Sequence, residues 1–228
     1  MQDIPRKDYF NTIEQQKNGQ LSSVPSILFP IIIGWGIVSM VHIKAAVSVP
    51  QITAHSVYAS VTGIAFRDTP EEALSPEAVQ SMLRKKGLFD SRRNATGHGV
   101  SHKYETQQDG KVVYDHASCL MWQQAGSLND MNYRDAKNYI YALNKERFAG
   151  YNDWRLPTLE EAISLMEPAK KTGALHIDSA FDPCQKRIWT SDFRKDGMAW
   201  TVWFDSGFCD YAYTDSNIKH YVRASRNR

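Results

Sequence analysis

From Ser75 onward the apolar positions of this chain recur at helical spacing. Ala78, Val79, Met82 and Leu83 share one face. Ser75 stands as an N-cap and Pro76 at the first helical position, where its missing N–H costs nothing. Arg84, Lys85 and Lys86 suit the negative end of the helix dipole, and Gly87 ends the helix. Two short runs, Lys111 to Asp115 (KVVYD) and Cys119 to Gln123 (CLMWQ), read as strands joined by a turn. Asn132, with Asp135 in the first turn, caps a second helix. Its buried face is Ala136, Ile140 and Leu143, with Tyr133 and Tyr139 at the edges, and it runs to Gly150. The chain then turns at Asn152 and Asp153 and extends through Trp154, Arg155 and Leu156, the last held out of the α region by Pro157. Thr158 and Glu161 form a capping box for a helix of about Leu159 to Glu167 that buries Ala162, Ile163, Leu165 and Met166. Arg187 to Ser191, Met198 to Phe204, Phe208 to Tyr213 and His220 to Ala224 are aromatic and β-branched runs separated by Gly, Asp and Asn. They predict an antiparallel meander. Helices first and strands later, around one core, give an α+β class.

The N-terminal quarter follows another pattern. Residues 1–23 are polar and expected to be disordered. Val24 to Ile43 reads VPSILFPIIIGWGIVSMVHI, apolar on every side and, at about 20 residues, long enough to cross a bilayer as a single transmembrane helix. Small residues at Ala46 and Ser48 leave a cleaved signal open, and the domain would then be secreted. The long, charge-balanced segment before the span favours a retained anchor. Arg6, Lys7 and Lys17 precede the span and only Lys44 follows closely, which puts the N-terminus in the cytoplasm and the main domain outside it, periplasmic or at the cell surface. Residues 44–69 read as a linker with one strand around Ser56 to Ile64, and residues 70–228 as the extracytoplasmic domain.

A net charge of +2 supplies no strong field of the kind nucleic acid requires, so nucleic acid is not an expected partner. In an oxidising compartment the three cysteines allow one disulfide. Cys184 and Cys209 flank the strand-rich region and are the expected pair, with Cys119 a buried thiol. His98 and His102 are four apart, but Gly97 and Gly99 break a helix there and no Glu follows His98, so an exposed loop is expected rather than a zinc site. Asn94-Ala95-Thr96 is formally a glycosylation acceptor. Asp205, Asp210, Asp215 and Asn217 are oxygen donors in one region, but their spacing matches no EF-hand, so calcium has no motif behind it and no cofactor is expected. No nucleophile elbow, Ser-His-Asp order or P-loop stands out, and the chain reads as a non-enzyme. Trp122, Trp154, Trp189 and Trp200 are expected in the core. Arg155 is expected to bond Asp153 or loop carbonyls and so fix the turn.

Five motifs in order carry a resemblance: Leu120-Met121-Trp122-Gln123-Gln124, Gly150 to Thr158 (GYNDWRLPT), Ile188-Trp189-Thr190-Ser191-Asp192, Ala199-Trp200 and Tyr221-Val222-Arg223. Over roughly residues 112–226 the chain resembles the bacterial domain family typified by the C-terminal domain of the Legionella collagen-like adhesin, with Cys119 where the family usually has Gly, and with Ser75 to His116 as an extension. The resemblance implies a C-type-lectin-like fold related to the formylglycine-generating enzymes, with two helices on a small, mostly antiparallel sheet. It also implies surface display and, in the adhesin, binding of sulfated polysaccharides. The expected function is a membrane-anchored ligand-binding or adhesion module, for an anionic polysaccharide or a surface protein. Trp203, Arg194, Lys195, Tyr211, Tyr213 and Arg223 are the candidate ligand residues. Basic clusters at Lys170-Lys171, Lys186-Arg187, Arg194-Lys195 and Arg223, Arg226 and Arg228 are candidates to converge on one anion. Two alternatives stay open: an enzyme of the formylglycine-generating group, which would need a closer cysteine pair than Cys184 and Cys209, and a structural or sensory envelope component.

Overall fold

The computed structural model describes residues 64–215 and 217–228. The expected disordered segment, the membrane span at 24–43 and most of the linker lie outside them. Among the described residues no helix is long and apolar enough to cross a membrane. The domain is α+β, with helices α1 (Pro76–Lys86), α2 (Tyr133–Lys145) and α3 (Leu159–Ser164). Strands β1 (Tyr104–Gln107), β2 (Val112–Asp115) and β3 (Leu120–Gln123) precede α2, and β4 (Arg187–Phe193), β5 (Ala199–Trp203), β6 (Phe208–Ala212) and β7 (Ser225–Asn227) follow α3. They form two antiparallel sheets, ordered β1-β2-β3-β7 and β4-β5-β6, where one small sheet was expected.

Local chemistry accounts for most element ends. The Ser75 hydroxyl accepts from Ala78 N, and Gly87 takes the left-handed conformation that closes α1. Asn132 accepts from Asp135 N to start α2, and Thr158 and Glu161 complete a capping box at α3. Helix α2 stops short of Gly150. Arg147 and Ala149 adopt positive φ, and Phe148–Gly150 forms a separate 3-10 turn. The run His220 to Ala224 is not a strand of the meander. His220 and Tyr221 make isolated bridges to Met131 and Ile188, and the chain then crosses to pair β7 with β3.

The β4-β5-β6 sheet is covered on both faces. Ile188, Trp200, Val202 and Cys209 pack with Val79 and Leu83 of α1 and with Leu159 and Ile163 of α3. Trp189, Ala199 and Ala212 pack against Tyr133 and Ala136 of α2. On the other sheet Val113, Leu120 and Trp122 join the first cluster, while Val112, Tyr114 and Met121 meet Leu143 and Trp154. This alternation follows from successive strand side chains pointing to opposite faces.

Trp154 is 2% exposed. Its indole N–H donates to Phe148 O at 3.0 Å, and the Asn144 side chain pairs with both its backbone N and O at 2.7 and 2.8 Å. Trp154→Ala is expected to cost about 3–5 kcal/mol in urea unfolding. A midpoint like wild type would remove this residue from the core. Arg155 does not bond Asp153. It forks onto Glu161 with two bonds of 2.6 Å and reaches Ser225 and Asn227, because the buried Glu161 carboxylate requires a cation. Asp153 instead accepts from Arg226.

The body begins earlier than residue 70. Both Nη groups of Arg67 donate to the buried Asp192, at 2.9 and 2.7 Å. Asp192 also accepts from Glu71 N and Leu159 N. His102 is not exposed. Its side chain is 3% exposed and lies between Asp115 at 2.7 Å and Ser164 O at 2.8 Å. The Asn94 amide donates to Leu83 O and Leu88 O, so the nitrogen a glycan would need is engaged.

Among the described residues no disulfide forms, which corrects the expected Cys184–Cys209 pair. Cys184 is exposed ahead of β4, whereas Cys209 is buried on the face of β6 that packs on α1 and α3. Burial, with Asp90 adding to it, pushes the Cys209 thiol well above its usual range. Cys119 sits at φ 59, a left-handed position where glycine would be unstrained.

Candidate ligand-binding surface

At one end of the β4-β5-β6 sheet Arg187, Trp203 and Phe208 lie directly opposite one another, so their side chains share a face. The Arg187 guanidinium carbon stands 3.9 Å from the Trp203 ring centre, and its Nε donates to Asp205 at 3.0 Å. Trp203 and Phe208 are 5.1 Å apart, and the guanidinium of Arg92 lies 3.4 Å over Phe208. The row therefore reads cation, aromatic, aromatic, cation. Its outer members face solvent: the Arg92 and Arg187 side chains are 59% and 41% exposed.

Local structure holds this row in place. The Trp203 indole donates to Thr201 Oγ1 at 2.9 Å. The turn after β5 is closed by Gly207 N donating to Trp203 O. Gly207 has φ 75, and a Cβ there would meet the His176 ring at 3.0 Å, so only glycine suits this turn. Arg92 is delivered by the loop after α1, wound around the buried Asp90 carboxylate. Asp90 accepts from Arg92 N, Arg93 N and Cys209 N at 2.8, 2.7 and 2.9 Å, which fixes the loop to β6. A guanidinium stacked on a ring has already lost much of its rotamer freedom, and its donors are set for an anion.

The expected ligand residues do not form one site. Arg194, Lys195 and Tyr211 come together. Arg194 lies 3.7 Å over the Tyr211 ring and pairs with Asp196 at 3.1 Å. Arg194 and Lys195 line a depression of about 450 Å³ with Leu74, Ser75 and Pro76. Tyr213 is 56% exposed just past β6. Trp203 is at the far end of β5, on the opposite face from Tyr211 by strand alternation. Arg223 is a correction: it is fully buried and donates to Gln123 O, Gln124 O, Asp182 O and Gln185 Oε1, so it faces no solvent ligand. Several members of the basic clusters are already paired: Lys171 with Glu167, Arg226 with Asp153, and Arg228 with the Tyr114 hydroxyl.

Sequence reasoning missed Arg92, Phe208 and His220, and it noted Asp205 only as a possible calcium donor. An Asp followed by Ser-Arg-Arg is a readable side-chain-to-backbone turn, but its docking onto β6 is not. Of the suspected calcium donors, Asp205 faces Arg187 and Asp210 faces Arg92. Among the described residues no three His, Cys, Asp or Glu side chains are grouped to hold a metal ion. His102, Asp115 and Ser118 superficially suggest a catalytic triad. Yet Ser118 donates to Asp115, and His102 turns its other nitrogen to the Ser164 carbonyl, so the imidazole has no nucleophile to activate.

The molecule is thus a two-sheet α+β domain with guanidinium-on-aromatic stacks at its surface. The family model described as the Lcl C-terminal domain matches residues 111–226, and the chain belongs to that family. Comparison with curated proteins gave no match, and comparison with solved structures gave none either.

Proposed function

We propose that this domain is a non-catalytic binding module of C-type-lectin-like design, displayed outside the cytoplasm from the span at 24–43, and that it engages an anionic polysaccharide. The observation that carries the reading is the Arg187–Trp203–Phe208–Arg92 row, with Arg194 on Tyr211 as a second contact. Stacked arginines offer paired donors to sulfate or carboxylate groups, and the half-buried Trp203 ring beside Arg187 offers apolar area to the sugar between them, with the buried Phe208 supporting it. Among the described residues the Nη groups of Arg187 have no acceptor, which leaves them for a ligand.

The test is binding of the protein to immobilised dextran sulfate across a salt series. Affinity is expected to fall as salt rises, because exposed charges are screened. Arg187→Ala and Arg92→Ala are each expected to cost about 1–2 kcal/mol, roughly 5- to 30-fold in Kd. Lys145→Ala, on the exposed last turn of α2, should leave binding unchanged. Absence of binding at low salt, or arginine variants that bind like wild type, would overturn the reading.

A further inference from the structure

His220 lies behind the row. Its backbone N and O exchange hydrogen bonds with Met131 at 3.1 and 2.9 Å. Its ring meets Trp189 edge-on at 4.6 Å and Trp203 at 6.2 Å. Both ring nitrogens are buried with no hydrogen-bond partner among the described residues. The charged groups whose fields reach it are Arg187 on β4, Asp205 in the β5–β6 turn and Asp130 in the loop before α2. A buried imidazole without a partner is a costly arrangement, and such exceptions call for an explanation. The neutral ring serves as a flat packing element between two tryptophans. The protonated ring would bring two N–H donors without acceptors, and a second cation beside Arg187.

We propose that His220 is an acid-operated release for the Trp203–Arg187 surface: protonation expels the ring from its place beside Trp189 and Trp203, and the surface loses the geometry that holds an anionic polysaccharide. The inference rests on the binding reading above. Burial, with Arg187 adding to it and the two aspartates opposing, brings the His220 pKa down to about 4. A free histidine takes its proton near pH 6.5, so the protein resists protonation until the pH is well below that. The energy held back is released in the acid range. For a base whose folded pKa is lowered, stability is complete above about pH 6.5 and is lost as the pH falls toward the folded value. The cost falls first on the packing around the ring, because that packing is what denies the proton its partners. Trp203 then loses a neighbour, and Arg187 loses the fixed ring on which it lies.

The sign of the effect separates this switch from ordinary electrostatics. As pH falls, any protein takes up protons and its surface becomes more positive, so simple charge attraction predicts tighter binding of a polyanion. The switch predicts weaker binding. Dextran sulfate keeps its charge throughout this range, so the change belongs to the protein.

The experiment measures dextran sulfate binding by the full chain from pH 7.5 to 4.0 at constant ionic strength, for wild type, His220→Phe and His220→Gln. Far-UV circular dichroism and acrylamide quenching of tryptophan are recorded at each pH. Wild type is expected to lose about tenfold or more in affinity between pH 6.5 and 4, with its helical signal kept and its tryptophans more open to quencher. His220→Phe, which keeps a flat ring and cannot be charged, should hold or gain affinity on acidification and show no rise in quenching; His220→Gln should also keep its affinity. Wild-type affinity that is constant or rises in acid would overturn the switch. So would a loss shared equally by both variants, or one that coincides with collapse of the helical signal. Failure to bind dextran sulfate at pH 7.5 would overturn the polysaccharide reading instead, and the quenching comparison would still decide whether His220 moves.

Discussion

A chain that begins at Lys111, where the family match starts, is expected not to fold. The match omits α1, β1 and the strap from Ile64 to Leu74, yet the structure draws much of its main core from them. Leu74, Val79, Leu83, Leu88 and Phe89 are all buried in the cluster that holds Trp200, Leu159 and Ile163. At about 1.5–3 kcal/mol for each buried side chain, their loss amounts to roughly 8–15 kcal/mol, as much as the entire stability of a typical domain. Polar losses add to this. Asp192 would stay buried after losing both bonds from Arg67, and the Trp200 indole would lose Leu74 O. Removing one partner of a buried pair alone costs about 3–5 kcal/mol. Residues 111–228 should therefore show a weak helical signal and no cooperative urea transition, whereas residues 64–228 should unfold in one step. A native near-UV spectrum and a sharp transition from the shorter chain would mean that the extension merely decorates a core complete without it.

What could be read in advance was local. The caps at Ser75, Asn132 and Thr158 each close within three residues, so their partners are visible in the sequence. The meander of β4, β5 and β6 needs only short turns, and its Gly and Asp positions announce them. Errors arose wherever a side chain is satisfied from far away. The sequence ties Arg155 to Asp153 or to loop carbonyls; it does reach Leu156 O at 3.5 Å, but its main partners are Glu161 and Ser225 rather than Asp153. The Cys184–Cys209 pairing assumed that folding back the strands would bring the thiols together. The burial pattern of β6 does not alternate cleanly, because both faces of its sheet are covered, so the direction of Cys209 could not be taken from its neighbours. The candidate surface was half legible for the same reason. Trp203 and the Lys186-Arg187 pair drew notice as residue types. Their completion by Arg92, 118 positions before its contact Asp210, depends on a loop docking that no periodicity encodes.

Replacing Arg223 is expected to be as damaging as replacing Trp154, although an arginine in a basic cluster near the C-terminus looks like a surface cation. Its guanidinium donates to Gln123 O at 2.8 Å and to Gln124 O, to Asp182 O at 3.0 Å and to Gln185 Oε1 at 2.8 Å, and it lies 4.9 Å over Phe181. It thereby ties the end of β3 to the loop that leads into β4, joining the two sheets. Among the described residues no carboxylate bonds to it, and burial lowers its pKa to about 10, with Asp182 the largest opposing influence, so it is still charged at neutral pH. Two effects compete when it is removed. Relief from burying an unpaired cation returns several kcal/mol, and some buried charges are replaced by apolar side chains at no loss. Against that, its carbonyl and amide acceptors lose their donors, at about 1–3 kcal/mol for each buried group left unsatisfied. Gln124 O keeps the donor Asp182 N, but the loss at Gln123 O, Asp182 O and Gln185 Oε1 outweighs one desolvation penalty, and Arg223→Ala is expected to cost about 3–5 kcal/mol in urea unfolding. Two further variants separate the terms. Arg223→Met refills the volume without donors and should remain within about 1 kcal/mol of the alanine variant if lost hydrogen bonds dominate. Arg223→Lys keeps the charge with fewer donors in a different geometry, and should recover only part of the loss. A methionine variant as stable as wild type would show that the acceptors rearrange or hydrate easily and that the guanidinium is tolerated rather than required.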